Sequence, residues 1–532
     1  HSKLTTTIHK PAKMSANHFS SFIPDVFIAS TPTEKPIHYI ITGFLLLLAL
    51  YTVTGHDQSL PEVNPRKALE VTNRRRMNNF IHNGKQLMIQ ARATFGKNPY
   101  RILSEWGSLV VLPADYLQEL RNDPRLDFIT PSNDDGHGYI PGFDPFTAKE
   151  GHPQMVTKYL TKALTKLTKP ISDEATIVLR QVMTDATVWH DFVPREEIIK
   201  IVSRLSTRVF MGEELCRDEE WLRACADYTV TAFGVGYQLG QYPRWSRPLI
   251  HWFLPSCWEV RRLLSHARQV LKPHIERRNA KKAQAVASGD TTATFDDAIE
   301  WFSQIFKDNY DPATQQITLS LVAIHTTSVL LQQTMVDLAQ HPELFQPLRE
   351  ELVRVLGTEG LKKSALNNLK LMDSVLKESQ RLKPALLCTW RRLATENIEL
   401  ASGFAIRKGQ RVIINNTHIW DDEWYDNPEQ YDGHRFLRMR NTDEEKHAHL
   451  VSASPKHTAF GYGQHACPGR FFAANELKNA LAHLLLKYDW KLSDETGNPE
   501  PVPFGMALLP DPNVKFLIRR RKEEIDLNSL EC

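Results

Sequence analysis

The chain has 532 residues, 42 % of them apolar, enough to bury a large core in one big domain or in several of roughly 100–200 residues each. Lys and Arg number 65 against 62 Asp and Glu, a net charge of +3, too near neutral for a polyanion binder, so nucleic acid is excluded as a natural partner. Six cysteines (Cys216, Cys225, Cys257, Cys388, Cys467 and Cys532) contain no CxxC pair, which argues against a disulfide framework or a Cys-rich zinc site.

Residues 1–36 form a short polar segment. Residues 37–54, IHYIITGFLLLLALYTVT, carry no formal charge and approach the ~20 residues that span a bilayer. The expectation is a single-pass transmembrane anchor; a secretory signal and a buried core helix are the competing readings. No small-x-small cleavage site follows, and Pro61 and Pro65 lie in a linker over 55–66 that suits a stiff spacer. Arg66, Lys67, Arg74, Arg75 and Arg76 follow the segment, whereas Lys35 alone lies in the twenty residues before it. That places residues 1–36 in the lumen and the bulk of the chain in the cytosol.

From 67 to 518 no repeat and no Gly/Ser-rich linker interrupts the chain, which reads as one large domain, mainly α with a minor β region. A charged tail follows over 519–532. A long helix begins at Asp311-Pro312, an N-cap with proline at the first helical position, and runs to His341-Pro342, ~43 Å at 1.5 Å per residue. A second runs from Leu369 to Leu382 and stops before Pro384, while RVIIN at 411–415 and KFLI at 515–518 read as strands.

The chemistry concentrates in FGYGQHACPGRFFA, residues 460–473. Cys467 follows a Gly-rich turn and precedes a helix expected to start at Pro468. Backbone N–H groups at a helix start favour an anionic sulfur, so a lowered thiol pKa is expected, as a metal-ligating or nucleophilic thiol requires. The spacing of Phe460, Gly463, His465, Cys467 and Gly469 resembles the haem-binding loop of the cytochrome P450 superfamily. The resemblance implies that fold over 67–518 behind the transmembrane helix, a haem b whose iron takes the Cys467 thiolate, and loop contacts from Phe460, Gly463 and His465.

Further marks carry the resemblance. Glu378 and Arg381 stand one turn apart in ESQRLKP and can pair, and Arg435 falls where the family places the third member of a Glu-Arg-Arg cluster, although Gly433-His434 replaces the usual Pro-Glu. In the long helix VAIHTT is similar to the oxygen-activating segment, with Ala323 at a position often taken by Gly, His325 at the acid position and Thr326 at the hydroxyl position. Thr326 is expected to hydrogen-bond O2 and relay a proton, and His325 reads either as a proton shuttle or as a spacer. Arg391 or Arg392 is expected at a haem propionate. The family's Trp-x-x-x-Arg is missing between about 150 and 180: Lys158 is a weak substitute, and Trp258 with Arg262 lies too late in the chain. The resemblance also implies substrate contacts from Tyr139, Phe143, Leu319, Ala323, Leu386, Leu387 and Met506.

The loop together with the Ala-Ile-His-Thr-Thr run looks like fungal enzymes of the ent-kaurene oxidase kind, which act on terpenoids and related secondary metabolites. The implied function is a membrane-anchored haem-thiolate monooxygenase that oxidises an apolar, terpenoid or meroterpenoid intermediate. It would use O2 and electrons from NADPH through NADPH-cytochrome P450 reductase, at the endoplasmic reticulum membrane. Lys456, Arg470 and Lys478 are candidate contacts for that reductase. Desaturation, rearrangement or isomerisation on the same haem thiolate is the alternative, and a non-catalytic haem-binding membrane protein is a remote one, against which Cys467, Glu378, Arg381 and Thr326 speak. GYGQHA at 461–466 and GVGYQLG at 234–240 lie in no βαβ unit and carry no dinucleotide site, and HAH at 447–449 reads as a solvated loop.

Overall fold

The computed structural model describes residues 60–531 except 69, 71, 290–294 and 308–309, together with Tyr39, Thr42 and Gly43. The chain divides into two units, 1–59 and 60–532. The expected anchor at 37–54 falls in the first and, those three positions apart, lies outside the described residues.

The second unit is mainly helical with a minor β part, as expected. At its centre runs Pro312–Gln340, which starts and stops where Pro312 and Pro342 predict. Among the described residues it is the helix long and apolar enough to cross a membrane, but 72 % of its apolar window is buried inside the protein, which makes it a core helix. Pro194–Cys216, Pro255–Ser288, Lys370–Leu382 and Arg470–Lys487 pack around it.

Arg470–Lys487 begins two residues later than the sequence suggests, because Pro468 and Gly469 complete the turn behind Cys467. From Ala474 to Lys487 it is buried on every side, so each polar residue on it needs a partner. Asn475 donates to Thr168, Glu476 accepts from Ser206, Lys478 pairs with Asp373, and His483 bonds Ser172.

The β part flanks the helices as a five-stranded sheet in the order Tyr100–Ser104, Gly107–Leu112, Arg411–Ile414, Arg391–Ala394, Leu126–Asp127. The pairing of Gly107–Leu112 with Arg411–Ile414 is parallel and the rest antiparallel. A hairpin, Val502–Phe504 with Ala507–Leu509, turns at Gly505, whose φ of 62° suits glycine. Both ends of the unit are tied to its body. Val63 N–H bonds the Arg101 carbonyl, Leu527 is fully buried, and the Leu361 N–H donates to Glu531.

Candidate active site

The Cys467 loop is held by its own backbone and by the segment around Arg121. Gly461 and Gly463 adopt φ of 71° and 82°, the left-handed region, so the chain reverses twice within three residues. Cys467 N–H donates to the Phe460 carbonyl at 2.7 Å and Ala466 N–H to Gly463 at 3.0 Å. Gln464 N–H donates to Asn122, and the Tyr462 hydroxyl links Arg121 and Gln118. A Cβ on Gly463 would stand 2.3 Å from the Arg121 carbonyl oxygen, so only glycine lets the loop approach so closely.

Burial pushes the Cys467 thiol up, while the Gly469 and Arg470 N–H groups and the Arg470 charge pull it down. Burial wins. The expected depression of the thiol is therefore overturned: the amides at the helix start point the right way but do not outweigh desolvation, so deprotonation falls to a bound cation. His465 stacks on Phe128 at 5.1 Å, and Arg392 lies over the same ring at 5.3 Å.

Across the domain, the buried helix Pro312–Gln340 opens along one stripe. Val322 is 65 % exposed and Thr326 is exposed, one turn apart, with Ala323 and His325 half-buried beside them. The Thr326 hydroxyl donates to the Val322 carbonyl at 3.3 Å, so it lies in the helix groove. His325 packs edge-on against Phe233 at 6.0 Å, Phe233 against Phe146 at 5.3 Å, and Phe146 against Phe143 at 6.0 Å. Burial alone lowers the His325 pKa, and no charged group offsets it. Phe233, 53 % exposed on Glu219–Gly240, is a member of this aromatic wall that the sequence reading missed; an aromatic inside an ordinary amphipathic helix gives no local signal.

Glu378, Arg381 and Arg435 come together as expected. Arg381 Nε and Nη2 bind the two Glu378 oxygens at 2.8 Å each, and its Nη1 donates to the carbonyls of Ile419 and Pro428 at 2.7 Å. Arg435 Nε reaches the same carboxylate at 3.0 Å, and its remaining nitrogens donate to Asp426, Asn427 and Gln430 carbonyls. Every donor of the cluster is spent inside the protein.

Arg391 and Arg392 point to opposite faces of their strand. Arg392 stacks on Trp390 and Phe128 and donates to the Arg391 carbonyl. Arg391 lies over Trp106 at 4.3 Å beside Asp135, and its buried Nε has no partner. Lys158 sits over Tyr159 instead of joining the site, and Trp258 is exposed with Arg262 paired to Glu259.

The expected substrate residues divide. Tyr139 stacks under Arg244 at 3.4 Å, Phe143 joins the aromatic wall, and Leu319 and Ala323 lie on the long helix. Leu386 pairs with Ala507 in a bridge between the segment after Pro384 and the hairpin, and Leu387 N–H bonds the Met506 carbonyl. The Leu387 and Met506 side chains, 1 % and 0 % exposed, are enclosed with Phe80, Met88 and Tyr100 in a small core of their own. Lys478, suggested as a reductase contact, is buried against Asp373 at 2.6 Å and cannot serve; Lys456 is exposed. The carbonyls of His447 and His449 accept from buried Lys377, a structural role for the HAH run.

These residues fit a haem. A sulfur sits behind a glycine turn with the Gly469 and Arg470 N–H groups against it, and a hydroxyl lies in an opened stripe of a core helix. The comparisons agree. A family model described as Cytochrome P450 matches residues 85–518. The chain is 50 % identical over 509 residues to cytochrome P450 monooxygenase eqxH of Fusarium heterosporum, covering 94 % of this chain and 99 % of that one. It is 43 % identical over 435 residues to cytochrome P450 monooxygenase 1 of Gibberella fujikuroi, covering 80 % and 98 %. With cytochrome P450 monooxygenase hepE of Aspergillus oryzae it shares 40 % identity over 498 residues, 90 % of each chain. Fold, site and relatives together make this chain a member of the cytochrome P450 family, a monooxygenase that uses a haem with a cysteine thiolate ligand, O2 and electrons from a reductase.

Proposed function

We propose that this monooxygenase is membrane-bound and inserts one oxygen atom of O2 into an apolar, terpenoid-like skeleton in secondary metabolism, with Cys467 as the thiolate that would hold the haem iron. The observation that carries the reading is the opened stripe at Val322 and Thr326, where a hydroxyl meets accessible space beside an aromatic wall, in a chain that also presents the Cys467 loop. The bound haem supplies the oxidising chemistry. The protein's share is to hold the sulfur between the Gly469 and Arg470 N–H groups, to offer the Thr326 hydroxyl as a proton carrier, and to meet the haem carboxylates with Arg392 and His465, which lie on the same Phe128 ring. His325, packed on Phe233 with no charged neighbour, fits a spacer better than a shuttle.

The membrane assignment rests on residues 37–54 and on a surface patch in which Trp245, Leu249 and Phe253 are 78 %, 65 % and 84 % exposed. Trp252 and Trp258 stand beside them under Arg261. Aromatics fringed by arginines suit the boundary between lipid and water. Membrane-bound NADPH-dependent reductase is the electron donor that fits, with Lys456 and Arg470 as candidate contacts.

The test is turnover of a terpenoid panel by microsomes holding the full chain, reductase and NADPH under labelled oxygen gas. One labelled atom per product is expected. A desaturated or rearranged product without label overturns the insertion and selects the alternative chemistry.

A further inference from the structure

The opened stripe of the long helix carries one polar side chain besides Thr326. His325 follows Val322 by one turn, half-buried, with its ring plane at 89° to Phe233 and the ring centres 6.0 Å apart. The buried histidines of the described residues each find a hydrogen bond: His137 with Gly236, His251 with Arg261, His418 with Asn415, His457 with Gln380 and His483 with Ser172. His325 differs. Among the described residues neither of its nitrogens has a partner, and neither is sealed from accessible space.

The surroundings limit what this imidazole can meet. Burial lowers its pKa and no charged group lies near enough to offset that, so the ring is neutral near pH 7, with one nitrogen a donor and the other an acceptor. Phe233 stands against it, Phe146 and Phe143 continue the wall, and Val322 precedes it on the helix. A molecule bound there gives up water along an apolar surface. In such a place a ring nitrogen and a polar ligand atom each cost free energy unless they meet. A carboxylate would find no cation, whereas a ketone or hydroxyl oxygen suits the neutral ring. Successive helix residues point about 100° apart, so His325 and Thr326 address different parts of a bound molecule.

We propose that His325 is a specificity-determining residue: its imidazole N–H donates to a ketone or hydroxyl oxygen already carried by the apolar substrate and so fixes which carbon of the skeleton lies beside Thr326. This rests on the reading that the stripe at Val322 and Thr326 takes the substrate. It gives His325 a contact that neither a spacer nor a proton shuttle requires.

The experiment is a Soret titration of the haem-loaded enzyme, in which ligand entry is read as a spin-state shift. The ligands are trans-decalin, 5α-androstane and ent-kaurane, each as the hydrocarbon and as its monoketones. The native protein is compared with H325F, which keeps a ring against Phe233 and removes both nitrogens, and with H325Q, which keeps an N–H donor. Expected in H325F is a fall of about tenfold in the ketone-to-hydrocarbon affinity ratio for at least one skeleton, with most of the ratio kept in H325Q. An unchanged ratio in H325F overturns the proposal, and if product per NADPH falls in that variant at the same time, His325 belongs to proton transfer. No Soret shift with any of these ligands in the native enzyme overturns instead the reading that the stripe takes an apolar skeleton. If H325F does not hold haem, H325L takes its place under the same criteria.

Discussion

Two buried carboxylates each stand between two arginines, and only one of them closes its accounts. Glu378 binds Arg381 and Arg435, whose remaining donors all reach backbone carbonyls. Asp135 stands between Arg411 and Arg391, each of which keeps a buried Nε without a partner, and its own Oδ2 has none either. A satisfied cluster can only hold the chain together; a buried donor left over costs about 1–3 kcal/mol unless a ligand takes it.

The sharpest way to break the comparison is to truncate the arginines. R381Q leaves Glu378 and the Ile419 and Pro428 carbonyls short of donors in a dry interior, and is expected to lower unfolding free energy by about 3–5 kcal/mol in urea denaturation followed by circular dichroism. R391Q, which removes a guanidinium whose one side-chain hydrogen bond is the long 3.4 Å contact to Ser132, is expected to cost only about 1 kcal/mol by the same measurement. Equal stability losses would erase the distinction.

The Cys467 loop offers a smaller contrast. Gly463→Ala must place a Cβ against the Arg121 carbonyl at a φ of 82°, costing about 2 kcal/mol or more with loss of bound haem, read by thermal unfolding and haem content. Gly469→Ala meets nothing nearer than the Cys467 sulfur at 3.9 Å at an ordinary φ and should retain both.

A third buried acid sharpens the rule. Glu476 has one hydroxyl partner, Ser206, no arginine and an unpaired Oε2, and burial pushes its carboxyl to about 8. Its folded value lies above its unfolded one. The stability it contributes is therefore full below about 4.5 and lost as pH rises through 8, so E476Q should flatten the fall in denaturation midpoint between pH 6 and 9. Buried His137 and His418, each lowered to about 4, act at the other end: the unfolded chain takes up their protons first, so stability falls as pH drops below about 6.5 in wild type and E476Q alike.

Thr326→Ala is the smallest change to the fold, within about 0.5 kcal/mol for an exposed side chain. Its expected effect is on coupling, with product per NADPH consumed falling about tenfold.

Much of this was legible in the sequence because the responsible groups are local. Glu378 and Arg381 share one helix turn, Cys467 lies in a ten-residue loop, and Pro312 and Pro342 bracket the long helix. Asp135 and Arg411 are 276 residues apart and meet only because the sheet brings the Arg411 strand to the end of the helix Ile129–Asp135, so no spacing announces them. Phe233 was hidden for the same reason. Lys478, Leu387 and Met506 were misjudged because exposure is a property of packing: a lysine on the helix after Cys467 reads as surface, yet that helix is enclosed on all sides where it carries Lys478. The direction of the Cys467 thiol was misread because the helix start is visible in sequence and the depth of burial is not.

The central claim is that Cys467 supplies the thiolate. The direct test is the carbon monoxide difference spectrum of the reduced, detergent-solubilised protein beside Cys467→Ser. A long-wavelength thiolate-type Soret band is expected in the native protein and should disappear in the variant. An imidazole-type band in the native protein, or an unchanged band in the variant, would contradict the claim.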